Sequence, residues 1–275
     1  MPELPETETI ARDLDGAIAG ARITRVTVTR PDVLRETDPR ALAAHLAGAV
    51  VQRVWRRAKM VVLDLSTGHH LVVQPRFTGA LLLDGGALPA AERRYSTLAI
   101  RLRDGRTLHY RDIRRLGTVA LMADTRWREY IVPLGVEPLE PGFTPAVLSR
   151  ALRASRQAVK KLLMDQRRIA GIGNIYANEA LWRARIDPSR AGGRLRPDAV
   201  GALHAAIGAV LRDAVAARGT SFRDYRDAAG ERGAFGAALA VYGRGGLPCP
   251  ACGTRLVDTP AIDGRTTVFC PRCQR

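Results

Sequence analysis

The chain has 275 residues, room for two domains of ordinary size, and its 46% apolar and 25% charged residues exclude a disordered or fibrous protein. No apolar run approaches the roughly 20 residues that span a bilayer, and the first residues lack the basic-then-apolar order of a secretory signal, so a cytoplasmic protein with no membrane association is expected. With 43 Lys+Arg against 27 Asp+Glu the formal net charge is +16, spread over the whole chain, which points to a folded basic surface and a polyanionic partner such as nucleic acid.

In chain order, residues 5–19 read as a helix, with Ile10, Leu14 and Ile18 spaced by fours, Pro5 at the first helical position, and Glu6 and Glu8 complementing the helix dipole. Strand-type segments follow at 21–30, 50–65 and 70–84. Leu98, Ile100 and Leu102 then alternate up to an Asp104-Gly105 turn, a hairpin signal, and GTVALMA adds another strand. So many strands after one helix predict a β-sandwich or barrel-like first domain. The stretch VPLGVEPLEPGFTP at 132–145, with four prolines and two glycines, reads as a linker. Helical patterns cover 144–154, 156–168, 174–185 and 197–217, the last with Leu203, Ile207, Val210, Leu211 and Ala214 on one face. A Gly-, Arg- and Asp-rich loop precedes a short tail.

That tail holds all four cysteines. Cys249, Cys252, Cys270 and Cys273 form Cys-x2-Cys-x17-Cys-x2-Cys, a spacing suited to one four-thiolate zinc ion. The alternative, two disulfides, is disfavoured in a reducing cytosol. Four protein ligands leave no open position, so the metal is expected to be structural. The residues between the pairs suit a β-hairpin carrying Arg255 and Arg265, with Asp263-Gly264 as its tip.

Candidate chemistry begins at Met1-Pro2. Removal of a methionine before a small residue would expose a secondary amine, able to form an iminium with a sugar aldehyde. Glu3 beside it can serve as acid or base. A Met-Pro start is also simply a helix-start signal. The only lysines are Lys59, Lys160 and Lys161, against forty arginines, and lysine, unlike arginine, can exchange its proton. Lys59 follows two arginines at the mouth of an apolar strand, where it could transfer protons or merely snorkel. In RRIAGIGNIYANEALW, Gly171 and Gly173 punctuate a helix–turn–helix and Asn174 can cap its second helix, whose N-terminus would offer N–H groups to a phosphate or end there as an ordinary cap.

Taken together, MPELPETET, RRAKMVVLDL, LLMDQRRIAGIGNIYANEAL, VYGRGG and the cysteine tail resemble, in order and over the whole chain, the formamidopyrimidine-DNA glycosylase family, with endonuclease VIII as sister branch. The resemblance implies an α+β fold: a catalytic N-terminal β-sandwich with its leading helix (1–132), a linker (133–145), a helix–two-turn–helix DNA-binding domain (146–240) and a zinc-finger hairpin (241–275). It implies a bacterial, nucleoid-associated, monomeric enzyme of base-excision repair that acts on double-stranded DNA with damaged bases and holds one structural Zn2+. By the same resemblance Pro2 would attack C1′, Glu3 would donate a proton during sugar-ring opening, Lys59 would contact flanking phosphates and assist β-elimination, and Arg265 would assist δ-elimination. Lys160, Asn174 and Tyr242 would grip the backbone, and residues 219–236 would cap a flipped-out base. PELPE favours the oxidised-purine branch over an endonuclease VIII-like enzyme for oxidised pyrimidines. The family's base-step wedge departs from pattern, with Phe77 for methionine and Leu116 for phenylalanine around an intact Arg114, and Tyr95 stands for a DNA-contacting histidine. A rival of another class is a non-catalytic zinc-finger protein that binds damaged DNA; it needs the tail and the charge but not Pro2, Glu3 or Lys59.

Overall fold

The protein's structure, a computed structural model, describes residues 2–153, 155–222 and 224–275. The chain divides into two compact units: residues 2–133 with 217–234, and 134–216 with 235–275.

The first unit opens with helix α1 (Leu4–Ile18). Glu3 stands at its cap, and the Glu3 backbone N–H donates to Glu6 Oε2 at 2.8 Å, the backward half of a capping box. Ile10, Leu14 and Ile18 are all buried, as their spacing predicts. Then come β1 (Ile23–Val28), β2 (Leu34–Arg35), α2 (Pro39–Leu46), β3 (Val51–Arg57), β4 (Met60–Leu65), β5 (His69–Gln74), β6 (Gly79–Asp84), α3 (Ala90–Arg93), β7 (Ser96–Leu102), β8 (Thr107–Asp112), β9 (Thr118–Ala123) and α4 (Asp124–Ile131). One sheet runs β1-β7-β8-β6 and the other β2-β9-β5-β4-β3. Leu63, Leu71, Val73 and Val119 from one sheet share a core with Leu81, Leu98, Ile100 and Tyr110 from the other, and α1 joins it through Ile10 and Leu14. Each such side chain contributes about 1.5–3 kcal/mol of transfer free energy. This is the predicted sandwich with its leading helix. The expected Asp104-Gly105 turn joins β7 to β8, Gly105 taking φ +90°.

The sequence patterns miss α2, α3 and α4. Helix α2 carries a readable start signal: Asp38 accepts from Arg40 and Ala41 backbone N–H groups at 2.7 and 2.9 Å, and Pro39 occupies the first turn.

In the second unit the proline-rich stretch lies along its own unit: Gly135 N–H donates to Gln166 O at 2.8 Å and Ala170 N–H to Val136 O at 2.9 Å. Helix α5 (Pro145–Leu152), α6 (Val159–Met164), α7 (Asn174–Arg183) and α8 (Pro197–Ala216) follow, then a hairpin of β10 (Val257–Thr259) and β11 (Thr267–Phe269). By length and composition alone α8 could cross a membrane, but Leu203, Ile207, Val210, Leu211 and Ala214 are buried in the unit, as on the core helix of a globular fold. Gly173, not Asn174, caps α7; Asn174 is the first helical residue.

Candidate active site and nucleic-acid contacts

In the first unit Pro2 and Glu3 are buried at the start of α1, Glu3 being 2% exposed. Met1, on whose removal a free Pro2 amine depends, lies outside the described residues. Lys59 occupies the second position of the two-residue turn between β3 and β4, since Arg57 pairs with Met60. Ala58, the first position, takes φ +53°, a conformation such turns normally give to glycine. A strained residue thus aims a nearly buried lysine, 9% exposed. The hairpin is fastened to α1: Glu8 Oε2 accepts from Arg56 Nε at 2.7 Å, Arg56 also donates to Ala58 O at 3.2 Å, and Asp15 accepts from Val54 N–H at 2.7 Å. Burial raises the Glu8 pKa, but the charge and hydrogen bonds of Arg56, with help from Arg12, outweigh it and hold the carboxyl below its usual value. The structure therefore brings Pro2, Glu3 and Lys59 onto one braced helix–hairpin pair.

Of the loop anticipated as a cap, residues 219–234 belong to this unit and are anchored on α1. Glu6 Oε1 accepts from Thr220 N–H at 2.7 Å while its other oxygen holds Glu3 N–H. Arg218 reaches Asp13 and Asp227, each at 2.5 Å, and Tyr225 donates to Arg218 O at 3.1 Å. Burial, then Glu6 and Asp227, push the Tyr225 phenol far above its usual range, so it stays a donor. Phe222 stands half exposed in this loop. None of Glu6, Arg56 or Arg218 was a candidate from sequence. Glu6 alone left a signal, three residues after the cap.

The wedge candidates Phe77, Arg114 and Leu116 are all exposed, and the Arg114 guanidinium lies 5.5 Å over the Phe77 ring. Tyr95 is half-buried beneath the Arg94 guanidinium, 4.6 Å from its ring.

In the second unit the zinc hairpin docks on α6 and α7. Lys160, expected on a DNA phosphate, is fully buried and donates from Nζ to Thr266 O at 2.9 Å and Thr267 Oγ1 at 2.7 Å. Asn174 Nδ2 reaches the same Thr266 carbonyl at 3.0 Å, and Val268 N–H donates to Asn178 Oδ1 at 2.9 Å. Arg265, directly before this clamp, is exposed, and the predicted tip is present, Asp263 and Gly264 taking φ +61° and +64°. Glu179 on α7, a further residue the sequence did not single out, accepts the backbone N–H groups of Ala240, Val241 and Tyr242 at 2.8–2.9 Å. Burial still leaves its carboxyl above the usual range. Tyr242 is thus held by its main chain and its side chain is half-buried.

The four cysteine sulfurs lie within 4.8 Å of one another, and Cys252 Sγ is 3.5 Å from Cys270 Sγ. A tetrahedron with Zn–S near 2.3 Å needs sulfurs about 3.8 Å apart, so the donor set fits one Zn2+. As free thiols they share protons unequally: Thr254 donors pull Cys252 down to about 6, and the neighbouring sulfurs, Cys252 first, push Cys273 up to about 12. A divalent cation removes that conflict by taking all four as thiolates.

Comparison with known proteins agrees with this geometry. Residues 1–119 match the formamidopyrimidine-DNA glycosylase N-terminal domain, 134–226 the H2TH domain of the same enzymes, and 246–275 the zinc finger found in FPG and IleRS. A formamidopyrimidine-DNA glycosylase of Chloroflexus aggregans is 43% identical over 274 residues, covering 100% of this chain and 98% of its own. The crystal structure of the MutM (Fpg) protein of Thermus thermophilus superposes with a TM-score of 0.87 at 37% identity, covering 99% of this chain and 98% of its own. A point mutant of Lactococcus lactis Fpg in complex with DNA containing Fapy-dG gives 0.92 at 31% identity, with both chains covered in full. With the sandwich, the two-turn helical unit and the cysteine tetrad all matched over the full length, the chain belongs to the formamidopyrimidine-DNA glycosylase family.

Proposed function

We propose that this chain is a bifunctional DNA glycosylase and AP lyase of base-excision repair that removes oxidised purines, 8-oxoguanine and formamidopyrimidines, from double-stranded DNA. The observation that carries the reading is the bracing of α1, whose N-terminal end follows Pro2 and Glu3, to the Lys59 hairpin through Glu8 and Arg56.

After loss of Met1, the Pro2 nitrogen attacks C1′ of the damaged nucleotide; the C1′–base bond breaks and the base leaves with a proton. Glu3 protonates the ring oxygen as the sugar opens, leaving an iminium between Pro2 and C1′. Removal of a C2′ proton then expels the 3′ phosphate, with Lys59 placed for proton transfer beside that phosphate. Arg265 binds the remaining phosphate and assists its δ-elimination, and water frees Pro2. Phe77, Arg114, Leu116 and Tyr95 engage the duplex around the lesion, and residues 219–236 cover the extruded base. Asn174 and Tyr242 contact backbone phosphates. Lys160 acts through Thr266 and Thr267 to set the hairpin that bears Arg265. Cys249, Cys252, Cys270 and Cys273 would hold one Zn2+, which would fix that hairpin as a structural ion. The protein acts as a monomer in the bacterial cytoplasm, on nucleoid DNA.

Parallel digestion of 8-oxoguanine and thymine glycol duplexes tests this reading, with faster cleavage expected at 8-oxoguanine. Preference for thymine glycol would assign the chain to oxidised pyrimidines, and inactivity on both would leave a damaged-DNA binder.

A further inference from the structure

Phe77 and Arg114 sit on two different connectors, yet both connectors grow from one corner of the sandwich. β5 leads into β6 through residues 75–78, and β8 into β9 through 113–117. Each crosses from one sheet to the other, because β5 and β9 are neighbours in the five-stranded sheet and β6 and β8 in the four-stranded sheet. Ladder pairing stops at Gln74 with Thr118 on one side and resumes at Gly79 with Asp112 on the other. The two connectors therefore run side by side, with backbone groups that no strand can satisfy.

Three side chains, Asp112, Thr78 and Arg111, bind backbone groups of the connectors. Asp112, 1% exposed, accepts from Thr78 Oγ1 at 2.5 Å with one oxygen, and from Gly117 N–H at 2.8 Å and Tyr110 Oη at 3.2 Å with the other. Thr78 Oγ1 in turn accepts from the Arg114 N–H at 2.9 Å, and Thr78 O accepts from Arg111 at 2.9 Å. The connectors approach so closely that a Cβ on Gly117 would collide with the Tyr110 hydroxyl and come within 2.7 and 2.8 Å of Gln74 O and Pro75 O. Each connector also holds one non-glycine residue in the left-handed region: Arg76 at φ +52° and Arg115 at φ +53°. These are immediate neighbours of Phe77 and of both Arg114 and Leu116, so backbone strain of about 1–3 kcal/mol per residue is stored in each arm. A buried hydrogen-bonded hub beneath two strained, exposed tips holds them in one relative position.

We propose that the Thr78–Asp112 pair is a positioning device that couples the Phe77 arm to the Arg114–Leu116 arm, so that both enter the base stack as one rigid wedge. This rests on the glycosylase reading above and deepens it: the pair touches no DNA and acts through the two arms. Extracting a base from the stack requires the wedge, whereas an abasic site has no base to extract. The hub therefore governs excision of a damaged base and leaves cleavage of a preformed abasic site nearly untouched.

The test uses Thr78→Val, which keeps the shape and removes both hydroxyl bonds, and Thr78→Ser, which restores them. Excision of 8-oxoguanine by T78V should fall about tenfold or more, as for loss of a buried bond with its partner left unsatisfied, while its cleavage of an abasic duplex stays within about twofold of the unsubstituted chain and T78S behaves as that chain does. Wild-type excision by T78V, or an equal loss on both duplexes, overturns the coupling. If T78V does not fold, Asp112→Asn, which keeps the volume but weakens the acceptor set, must show the same split between duplexes, and its absence overturns the proposal as well. An unsubstituted chain inactive on both duplexes overturns the glycosylase reading itself, a different result from any of these.

Discussion

Glu8 on α1 accepts a 2.7 Å hydrogen bond from Arg56, whose side chain is 4% exposed, and Arg56 also holds the carbonyl of Ala58 next to Lys59. This ion pair thus ties the helix that begins directly after Pro2 and Glu3 to the turn bearing Lys59. Glu8→Gln should lower stability at neutral pH by about 1–3 kcal/mol, because it removes the negative charge from a nearly buried ion pair. The Glu8 pKa is depressed in the fold, so its stabilisation is complete above the ordinary carboxylate range and is lost as pH falls through the depressed value. Urea melts of both proteins at pH 7 and pH 3 should show the gap closing in acid; an equal gap at both values would show that the ion pair is not its source.

Glu179 gathers three backbone N–H groups of residues 240–242 in a buried site. Glu179→Ala orphans all three and should cost about 3 kcal/mol or more. Glu179→Gln turns one acceptor into a donor facing an N–H, and DNA affinity should fall with it as the Tyr242 turn loosens. Thermal melting and a DNA titration of each variant check both expectations.

The sandwich, its leading helix, the Asp104-Gly105 hairpin and the cysteine tetrad were legible because each is written in adjacent residues: alternation, helical spacing, a turn pair, a ligand pair. The bracing of the site was not. Thr220 meets Glu6 across 214 positions, and Lys160 meets Thr267 across 107. No local pattern announces a partner that far away, and Lys160, expected on the DNA backbone, is wholly buried. Asp112 is similar: its stretch is legible only as the wedge arm of Arg114 and Leu116, and the crossing of two connectors makes its carboxylate a hub.

Chelation of the zinc should unfold the β10–β11 hairpin, since metal binding and folding are one equilibrium there. Trp182, packed against the cluster that contains Cys249 and Cys270, provides the readout. Its fluorescence should change as metal leaves and recover on adding Zn2+, with DNA affinity falling and returning in step. An unchanged affinity after metal loss would remove the hairpin from the DNA contacts.

With forty arginines and a net charge of +16, binding should weaken steeply with salt, by about 0.9 in log–log slope for each phosphate neutralised. Arg265→Ala should reduce that slope by about one and shift products from δ- towards β-elimination. A gel that resolves the two product ends, run alongside titrations at several salt concentrations, measures both.

The central claim is that the Pro2 nitrogen becomes covalently bonded to the sugar. Borohydride added during reaction with an 8-oxoguanine duplex, followed by intact-mass and peptide analysis, tests it most directly. The account predicts a protein–DNA adduct on a chain that begins at Pro2, located to that residue and almost abolished in Pro2→Gly. An adduct located to a lysine, or one formed by a chain that retains Met1, would contradict it.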